Sequence, residues 1–387
     1  LLRHGTLEQS ASDFARQLDR QGIRLGTQVS ADSMIVSVSA LREHLVEAVQ
    51  IANDVVFRPR LSDSALSMER LRTQYAHQQA VGQVEAMAGL WLNHAVYGSH
   101  PYGCPPLTVS GLKETTVDEI QSLHQRIVQS AKAMLLVVGD IEPHQTADAL
   151  AEKASTLPVA STLSPINPPP ISAGTGGGVW LLERPGAEQV AIGVGTLAPP
   201  RNHPDFLPLR VVNHVLGGGA SSRLFARLRD QEGLTYGAYS RLDCGLWGGD
   251  WATNFTVAPN KLERTLPLVR TEIENVAAGE ISEAQLRHSI QYLAGSFPQR
   301  ACGLSGVSLL ATAAWMHGLP NEVWRNYQAN LLGTSMAEVK AVAGTWIRPK
   351  DLSWVLAGPP SALASVRSFI RTPASGCVRR PSPFPKC

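Results

Sequence analysis

The sequence lacks the features that mark several classes of protein. Its 387 residues include five cysteines but no Cys-x-x-Cys pair, so neither a zinc ribbon nor a disulfide framework is indicated and the redox compartment stays open. No apolar run reaches the roughly 18 residues that a membrane span requires. The formal net charge is only +2 and no Lys/Arg stripe is present, which gives no support for nucleic-acid binding. The chain opens at Leu1 without a methionine, so we expect any targeting segment to lie upstream.

The composition is that of a folded globular chain. Hydrophobic residues make up 44% of it and charged residues 17%. A chain of this length predicts two domains of roughly 150–200 residues. Each would be large enough to bury about 70% of its unfolded surface.

The chain contains an internal repeat. Residues 225–234 (FARLRDQEGL) nearly repeat residues 14–23 (FARQLDRQGI), at an offset of 225 − 14 = 211. Residues 353–359 match residues 134–140 at an offset of 353 − 134 = 219. Two matches in the same order and at nearly one offset indicate a duplicated folding unit.

The two copies differ where the second copy alone has polar side chains. Arg229 and Tyr236 correspond to Leu18 and Leu25 of the first copy. A guanidinium and a phenol both donate hydrogen bonds. If the two side chains lie at the same edge of the fold, both can donate to a carbonyl oxygen that gains negative charge. The alternative is a surface ion pair for the arginine and a packed ring for the tyrosine. The asymmetry between the copies favours function.

Hydrophobic periodicity predicts alternating helices and strands in both halves. The predicted helices are 13–21, 42–56, 63–96, 117–129, 204–216, 220–230, 261–278 and 282–296, and the predicted strands are 34–40, 134–139, 179–184, 189–196, 236–243, 248–256 and 352–358. The short connection between the strands 236–243 and 248–256 predicts a hairpin. The predicted fold class is therefore α+β, with two homologous α/β-sandwich domains, each a mixed sheet with helices on one face.

Proline and glycine mark the domain boundaries. Residues 156–177 contain five prolines and three glycines, which predicts an extended linker. We therefore predict an N-terminal domain at 1–155 and a C-terminal domain at 178–370. Residues 371–387 are rich in proline and arginine and predict a disordered tail.

The segment 217–240 (GGGASSRLFARLRDQEGLTYGAYS) resembles the second half of pitrilysin/insulinase-type zinc peptidases, relatives of mitochondrial processing peptidase. The first half also carries matching residues in the family's order, namely Gly5-Thr6, Glu69-Arg70, 97–103 (YGSHPYG) and Val138-Gly139-Asp140. The resemblance covers almost the whole chain. It implies that Arg229 and Tyr236 contact the substrate at the scissile bond, from the half opposite the zinc.

The zinc site of that family is not found in this sequence. A catalytic zinc takes three protein ligands and an open position for water, and the family supplies them from a His-x-x-Glu-His helix and a later glutamate. No such motif occurs, and the resemblance places it at or before residue 1. At the later position stand Tyr75 and Ala76, followed by His77 on a predicted surface face. We predict no metal site and no cofactor in this chain.

The glycine-rich residues 217–222 (GGGASS) do not form a phosphate-binding loop. They lack the Gly-Lys-Ser/Thr ending and follow a predicted helix rather than a strand. A flexible turn is the better interpretation.

The resemblance implies a non-catalytic subunit of a heterodimeric zinc metallopeptidase, without activity alone. Its expected partners are a homologous subunit that holds the zinc and a peptide substrate, with no nucleic acid and no membrane span. One alternative is a structural subunit such as the core proteins of the respiratory cytochrome bc1 complex, and another is a one-chain zinc peptidase whose zinc motif precedes residue 1. The sequence gives no peptide specificity, and resemblance to paired bacterial subunits implies a periplasmic location.

Overall fold

The computed structural model describes residues 1–103, 109–154, 168–171, 177–320, 322–366 and 378–379. The chain divides into two compact units, which are Leu1–His77 with Leu107–Asn167 (unit 1) and Gln78–Pro106 with Pro168–Cys387 (unit 2). Residues 78–106, from the first half of the sequence, therefore belong to the unit built mainly from the second half.

The first half of the chain is mainly helical. Its described elements are α1 (Ala11–Gln21), β1 (Arg24–Val29), β2 (Met34–Ser39), α2 (Leu45–Phe57), α3 (Asp63–Gly82), α4 (Val84–Tyr97), α5 (Val109–Glu114), α6 (Val117–Ser130) and α7 (Pro143–Ala154). Strands β1 and β2 form an antiparallel pair that runs from Arg24 opposite Ser39 to Val29 opposite Met34.

Unit 1 has a small core built on α1. The hydroxyl of Ser10 accepts a hydrogen bond from the Asp13 backbone N–H at 3.2 Å, which caps the start of the helix. Gly22 ends it in the left-handed region at φ +62°. The amphipathic helix between these caps buries one face, and the buried apolar residues of this core are Phe14, Ile23, Ile51 and Val55.

The second half forms the larger α/β assembly. Its described elements are β3 (Gly178–Glu183), β4 (Val190–Ala198), α8 (Phe206–Gly217), α9 (Arg223–Phe225), β5 (Ser240–Cys244), β6 (Gly249–Val257), α10 (Leu262–Ala277), α11 (Glu283–Arg300), α12 (Gly303–Met316), α13 (Tyr327–Leu332), α14 (Met336–Trp346), β7 (Ser353–Gly358), α15 (Pro360–Ser365) and β8 (Val378–Arg379). The strands form one sheet in the order β5-β6-β4-β7-β3-β8. The β3–β7 and β3–β8 pairs are parallel and the others antiparallel.

The sheet of unit 2 is covered on both faces. Successive strand residues point to opposite faces, so Ile192 and Val194 of β4 join the core shared with α8, α10, α11 and α14. Helix α4 packs against the other face. That face carries small residues, and a Cβ at Gly193 would come 3.4 Å from Leu92 and one at Gly195 would come 3.3 Å from Val96. The absence of side chains at these two positions lets α4 lie close to the strands.

A buried polar network fixes the end of α4. The Tyr97 hydroxyl donates to the Asp250 carboxylate at 2.8 Å, and Arg241 contacts the same carboxylate at 2.9 Å. Asp250 is only 5% exposed. Burial raises the pKa of Asp250, while Arg241 and Tyr97 oppose that rise. The segment 97–103 thus has a structural role within unit 2.

The structure confirms most predicted elements of the second half to within a few residues. Strands β3, β4, β6 and β7 and helices α8, α10 and α11 all lie where the periodicity predicts them. In the first half, α1, β2, α2 and α6 also agree with the predictions. These elements have strong local patterns or clear caps, which explains the agreement.

Two of the predicted elements are not found as predicted, and one strand of the structure has no predicted counterpart. The single helix 63–96 is two helices, because Gly82 is a poor helix former and Gln83 is extended at φ −98° and ψ 126°. Residues 134–139 form no strand, since no described strand pairs with them. Strand β1 at 24–29 was not predicted, and it is stabilised by pairing with β2.

The repeat is visible at the first of its two matches. Residues 14–23 and 225–234 both end a helix at a glycine with positive φ, +62° at Gly22 and +58° at Gly233. A buried apolar residue follows each glycine, Ile23 in the first copy and Leu234 in the second, and both are 5% exposed. The second sequence match, between 134–140 and 353–359, joins segments of different secondary structure, because 353–358 is a strand and 134–139 is not.

The predicted domain boundaries stay a prediction, because most of 156–177 lies outside the described residues. Grouping by contact differs from the predicted division in one respect, since 78–106 joins unit 2. Within the predicted disordered tail, Val378–Arg379 pairs with β3. The rest of 371–387 lies outside the described residues.

Candidate functional site

Arg229 lies on a π-helical turn that extends α9. This turn spans Ala226–Gln231 and carries Leu228 into the core at 0% exposure. In the first copy the apolar residue Leu18 stands four positions after Phe14, whereas in the second copy Leu228 stands three positions after Phe225. Within this turn Leu228 is buried and Arg229 is exposed. Such π turns are frequent at functional sites.

The guanidinium of Arg229 rests on an aromatic ring. Its central carbon lies 4.8 Å from the centroid of Phe225, a cation–π distance. Phe225 is 5% exposed and also packs against Tyr239, with ring centroids 5.3 Å apart. Sequence reasoning did not single out Phe225 and Tyr239. The i, i+4 spacing of Phe225 and Arg229 on a helix is the signal that would have found the first of them.

Tyr236 lies in the loop between the π turn and β5. Because β5 begins at Ser240, the prediction that Tyr236 opens a strand is wrong. The backbone N–H of Leu234 donates to the Leu228 carbonyl at 2.8 Å and closes the turn before the tyrosine. Tyr236 itself is 92% exposed. An aromatic side chain so fully in water contributes almost nothing to the core.

Neither side chain of the pair has the structural role that was weighed against function. Within the described ranges, Arg229 forms no ion pair, and the nearby Glu232 pairs instead with Arg227 and Arg264. The ring of Tyr236 is not packed, and its hydroxyl forms no hydrogen bond in the part of the chain that the structure describes. Both groups are therefore available as hydrogen-bond donors at the surface of unit 2.

The polar residues His4, Glu69 and Arg70 form their contacts within unit 1. The His4 ring and the Glu69 carboxylate lie 2.9 Å apart, and this hydrogen bond lowers the pKa of Glu69. Arg70 donates to the carbonyls of Leu112 and Thr115 at 2.9 Å and 2.6 Å. These contacts tie α3 to α5 and the residue that follows it.

The position expected for a third zinc ligand carries no ligand. Tyr75 is 67% exposed on α3, and Ala76 beside it is exposed. Among the residues that the structure describes, no group of three or more His, Cys, Asp or Glu side chains could hold a metal ion. No helix in those ranges is long and apolar enough to cross a membrane.

The glycine-rich residues 217–222 pack tightly against their surroundings. A Cβ at Gly217 would lie 2.6 Å from the Ser240 backbone nitrogen, and one at Gly218 would lie 2.5 Å from the Cα of His214. Close packing thus requires glycine at positions 217 and 218. His214 beneath them is 4% exposed, and its Nδ1 lies 3.0 Å from the hydroxyl of Ser289.

We expect His214 to make the stability of unit 2 depend on pH. Burial, with the neighbouring His288 and Arg210, lowers the pKa of His214 from 6.5 to about 4. Between these values the unfolded chain binds a proton that the native chain does not, so stability falls as the pH falls through this window. The loss is at most about 3 kcal/mol. Urea unfolding at a series of pH values measures it.

The variant His214→Gln is expected to flatten this pH dependence, whatever its stability at neutral pH. His144→Gln, at an exposed position of α7, is the control and should keep the wild-type slope. Equal slopes in wild type and His214→Gln would show that the buried ring does not titrate as described.

Two family models match most of the chain. Residues 1–107 match the model described as insulinase, peptidase family M16, and residues 114–293 match the model described as the peptidase M16 inactive domain. The chain belongs to the insulinase family of peptidases. Arg229 and Tyr236 both lie in the region that matches the inactive domain.

The relatives in this family carry two kinds of name. An uncharacterized zinc protease of Mycobacterium leprae is 26% identical over 291 residues, which is 74% of this chain and 65% of that protein. A protein of Helicobacter pylori named non-peptidase homolog is 22% identical over 302 residues, 78% of this chain and 69% of the relative. The chain thus spans about two thirds of the length of such relatives. The match at residues 114–293 is to a domain that the family model describes as inactive.

Solved structures confirm the predicted α+β fold class. A peptidase M16 inactive domain from Pseudomonas fluorescens has a TM-score of 0.83 at 20% identity, with 92% of this chain and 86% of that chain covered. A protease from Helicobacter pylori has a TM-score of 0.83 at 19% identity, with 93% and 88% covered. Identities this low establish a shared fold and no more.

Proposed function

We propose that this chain is the non-catalytic subunit of a heterodimeric zinc peptidase. A homologous partner subunit holds the zinc, and this chain supplies Arg229 and Tyr236 to the peptide substrate. The observation that carries the proposal is the 92% exposure of Tyr236, on the same short segment as an arginine without an ion-pair partner in the described ranges. A human relative named mitochondrial-processing peptidase subunit alpha, 24% identical over 258 residues, supports the subunit role.

In this proposal each side chain of the pair has its own task. The zinc of the partner supplies a polarised carbonyl and an activated water. The Tyr236 hydroxyl donates a hydrogen bond to the scissile carbonyl oxygen as that oxygen becomes negative. Arg229, steadied on the Phe225 ring, holds the substrate backbone and adds positive charge near the same oxygen. A periplasmic location stays a prediction.

We expect the purified chain to bind no stoichiometric zinc and to cleave no peptide alone. Removing one ligand from a three-ligand site leaves only weak binding, and Ala76 offers no lone pair in the position of the third ligand. Elemental analysis after dialysis, together with a peptidase assay, measures both. One tightly held zinc per chain, lost together with activity on adding a chelator, would contradict the proposal.

The heterodimer itself is tested by mixing. The partner to co-express is the chain of the same organism that carries His-x-x-Glu-His within this family. Co-purification in one-to-one ratio, with a peptidase activity greater than the sum of the separate chains, is the expected result. Two proteins that elute separately and show only additive activity would exclude this role.

The names of several relatives favour a second candidate function, that of a one-chain zinc peptidase. Six of them are called uncharacterized zinc protease, and this chain covers 65% to 70% of their length. The chain would then be part of a one-chain zinc peptidase. Determining the complete reading frame distinguishes the two, since this candidate requires His-x-x-Glu-His in the same polypeptide.

A further inference from the structure

Unit 2 contains a cavity in its helical layer that the proposed function does not use. Its volume is about 180 Å³, and it lies among α8, α11, α12 and the residues that precede α13. Three arginines line it, Arg201, Arg210 and Arg300. Apolar and aromatic side chains, Phe297, Trp324 and Tyr327 among them, complete the wall.

The arginines of this cavity have no carboxylate partner among the residues that the structure describes. None of the three forms an ion pair within the described residues, and burial lowers the pKa of both Arg201 and Arg210. The nearby Cys244 does not supply a negative charge at neutral pH, because burial raises the pKa of its thiol to about 12. Partly buried cations without an anionic partner are costly, since they have lost water and gained no opposite charge.

Aromatic rings hold the guanidinium groups in place. Arg201 lies 3.7 Å from the ring centroid of Phe206 and 5.6 Å from Trp324, and Arg210 lies 5.8 Å from Tyr327. These cation–π contacts offset part of the cost of burial. None of the N–H groups of these two arginines is engaged by a carboxylate among the described residues, so they can donate to an anionic ligand.

A buried hydroxyl lies in the same wall. Tyr327 is 4% exposed, and its hydroxyl lies beside the Arg210 guanidinium but makes no well-aligned hydrogen bond among the described residues. Such groups are rare in native proteins and each calls for an explanation. Trp324 nearby is fully satisfied, since its indole N–H donates to the Leu310 carbonyl at 2.8 Å.

We propose that this cavity binds a small organic anion, a carboxylate attached to an apolar or aromatic group. The unpaired guanidinium groups and the Tyr327 hydroxyl donate to the carboxylate, and Phe297 and Trp324 contact the apolar part. The size agrees, because a dry cavity of about 150 Å³ accommodates benzene. The carboxylate belongs either to a free small molecule or to the C-terminal end of a peptide.

The test uses benzoate, with benzamide as the neutral molecule of the same shape. Isothermal titration of the purified full chain is expected to give saturable one-to-one binding of benzoate, and binding of benzamide at least about tenfold weaker, since the charged hydrogen bonds are missing. A tripeptide ending in phenylalanine, as free acid and as C-terminal amide, distinguishes the sources. Displacement of benzoate by the free acid alone identifies a peptide end, and displacement by neither identifies a free carboxylate.

Variants assign the binding to the cavity. Arg210→Gln is expected to weaken benzoate binding by about tenfold or more. Tyr327→Phe removes one buried hydroxyl and keeps the ring, so it should fold normally while weakening binding severalfold. Arg287→Gln, at an exposed position of α11 outside the cavity, is the control and should bind as wild type.

Two results would overturn the proposal. One is the absence of saturable benzoate binding to the wild-type chain. The other is wild-type affinity in both folded variants, Arg210→Gln and Tyr327→Phe. In either case the arginines and rings form a purely structural cation–π cluster.

Discussion

The change Tyr236→Phe is expected to lower the turnover of the reconstituted heterodimer by about 10²–10³, the usual effect of losing one donor to a developing oxyanion. The variant removes one hydroxyl and keeps the ring. Because Tyr236 is 92% exposed, the change leaves the core of unit 2 and the assembly intact. Steady-state kinetics on the mixed subunits, with size-exclusion chromatography to check assembly, measures the effect. Wild-type turnover in this variant would favour the structural-subunit alternative.

Two control variants, one at a tyrosine and one at a leucine, test whether the effect is specific to Tyr236. Tyr239→Phe is the same chemical change three residues further on, where the ring packs on Phe225, and it should leave turnover unchanged. Leu25→Ala changes the equivalent position of the first copy and should reduce stability through lost burial, without affecting chemistry.

Arg229→Ala is expected to raise KM as well as to lower kcat. An arginine that holds the substrate backbone acts in the ground state and in the transition state, so its loss affects both quantities. A fall in kcat with an unchanged KM would show instead that Arg229 acts only on the transition state.

The change Asp250→Asn is expected to destabilise unit 2 by about 3 kcal/mol, because removing the buried partner of Arg241 leaves this guanidinium with only the exposed Asp243 as counter-charge. Asp250 is 5% exposed, and its carboxylate pairs with Arg241 and accepts a hydrogen bond from the Tyr97 hydroxyl. The amide of asparagine can still accept from Tyr97, but its NH₂ group cannot accept from Arg241. Burial already raises the pKa of Asp250, which places the expected loss at the low end of the usual range. Urea unfolding at neutral pH measures it.

The matched control uses the second carboxylate on the same arginine. Asp243 also pairs with Arg241, but its side chain is 67% exposed. Asp243→Asn should therefore cost less than about 1 kcal/mol, as for other exposed pairs. Equal effects of the two substitutions would mean that the buried network does not anchor α4.

Most elements of unit 2 could be predicted from the sequence because their signals are local. Helix α11, for example, starts at Ser282, whose hydroxyl accepts from the Gln285 backbone N–H in a capping box. Strand β4 is a run of apolar and small residues, as expected for a strand buried on both faces. The strand predicted at 134–139 has the same kind of pattern, yet it is wrong, because a strand also needs a neighbour to pair with.

The candidate pair was found from the difference between the two copies, but its surroundings were not. The sequence does not show that Arg229 rests on Phe225, or that Tyr236 stands in a loop four residues before β5. The sequence also does not show that the second copy makes a π turn at Ala226–Gln231, in which Leu228 is buried.

The sequence by itself determined the family, the duplicated glycine-ended helices and the polar pair of the second copy, since each depends on residue identity over short stretches. Only the tertiary structure decided which sheet α4 covers and which arginines share a cavity. Helix α4 lies on the strands of unit 2 because Gly193 and Gly195, about a hundred positions later, leave room for it. Arg201, Arg210 and Arg300 meet because three separate segments pack around one cavity, and no local pattern records such long-range packing.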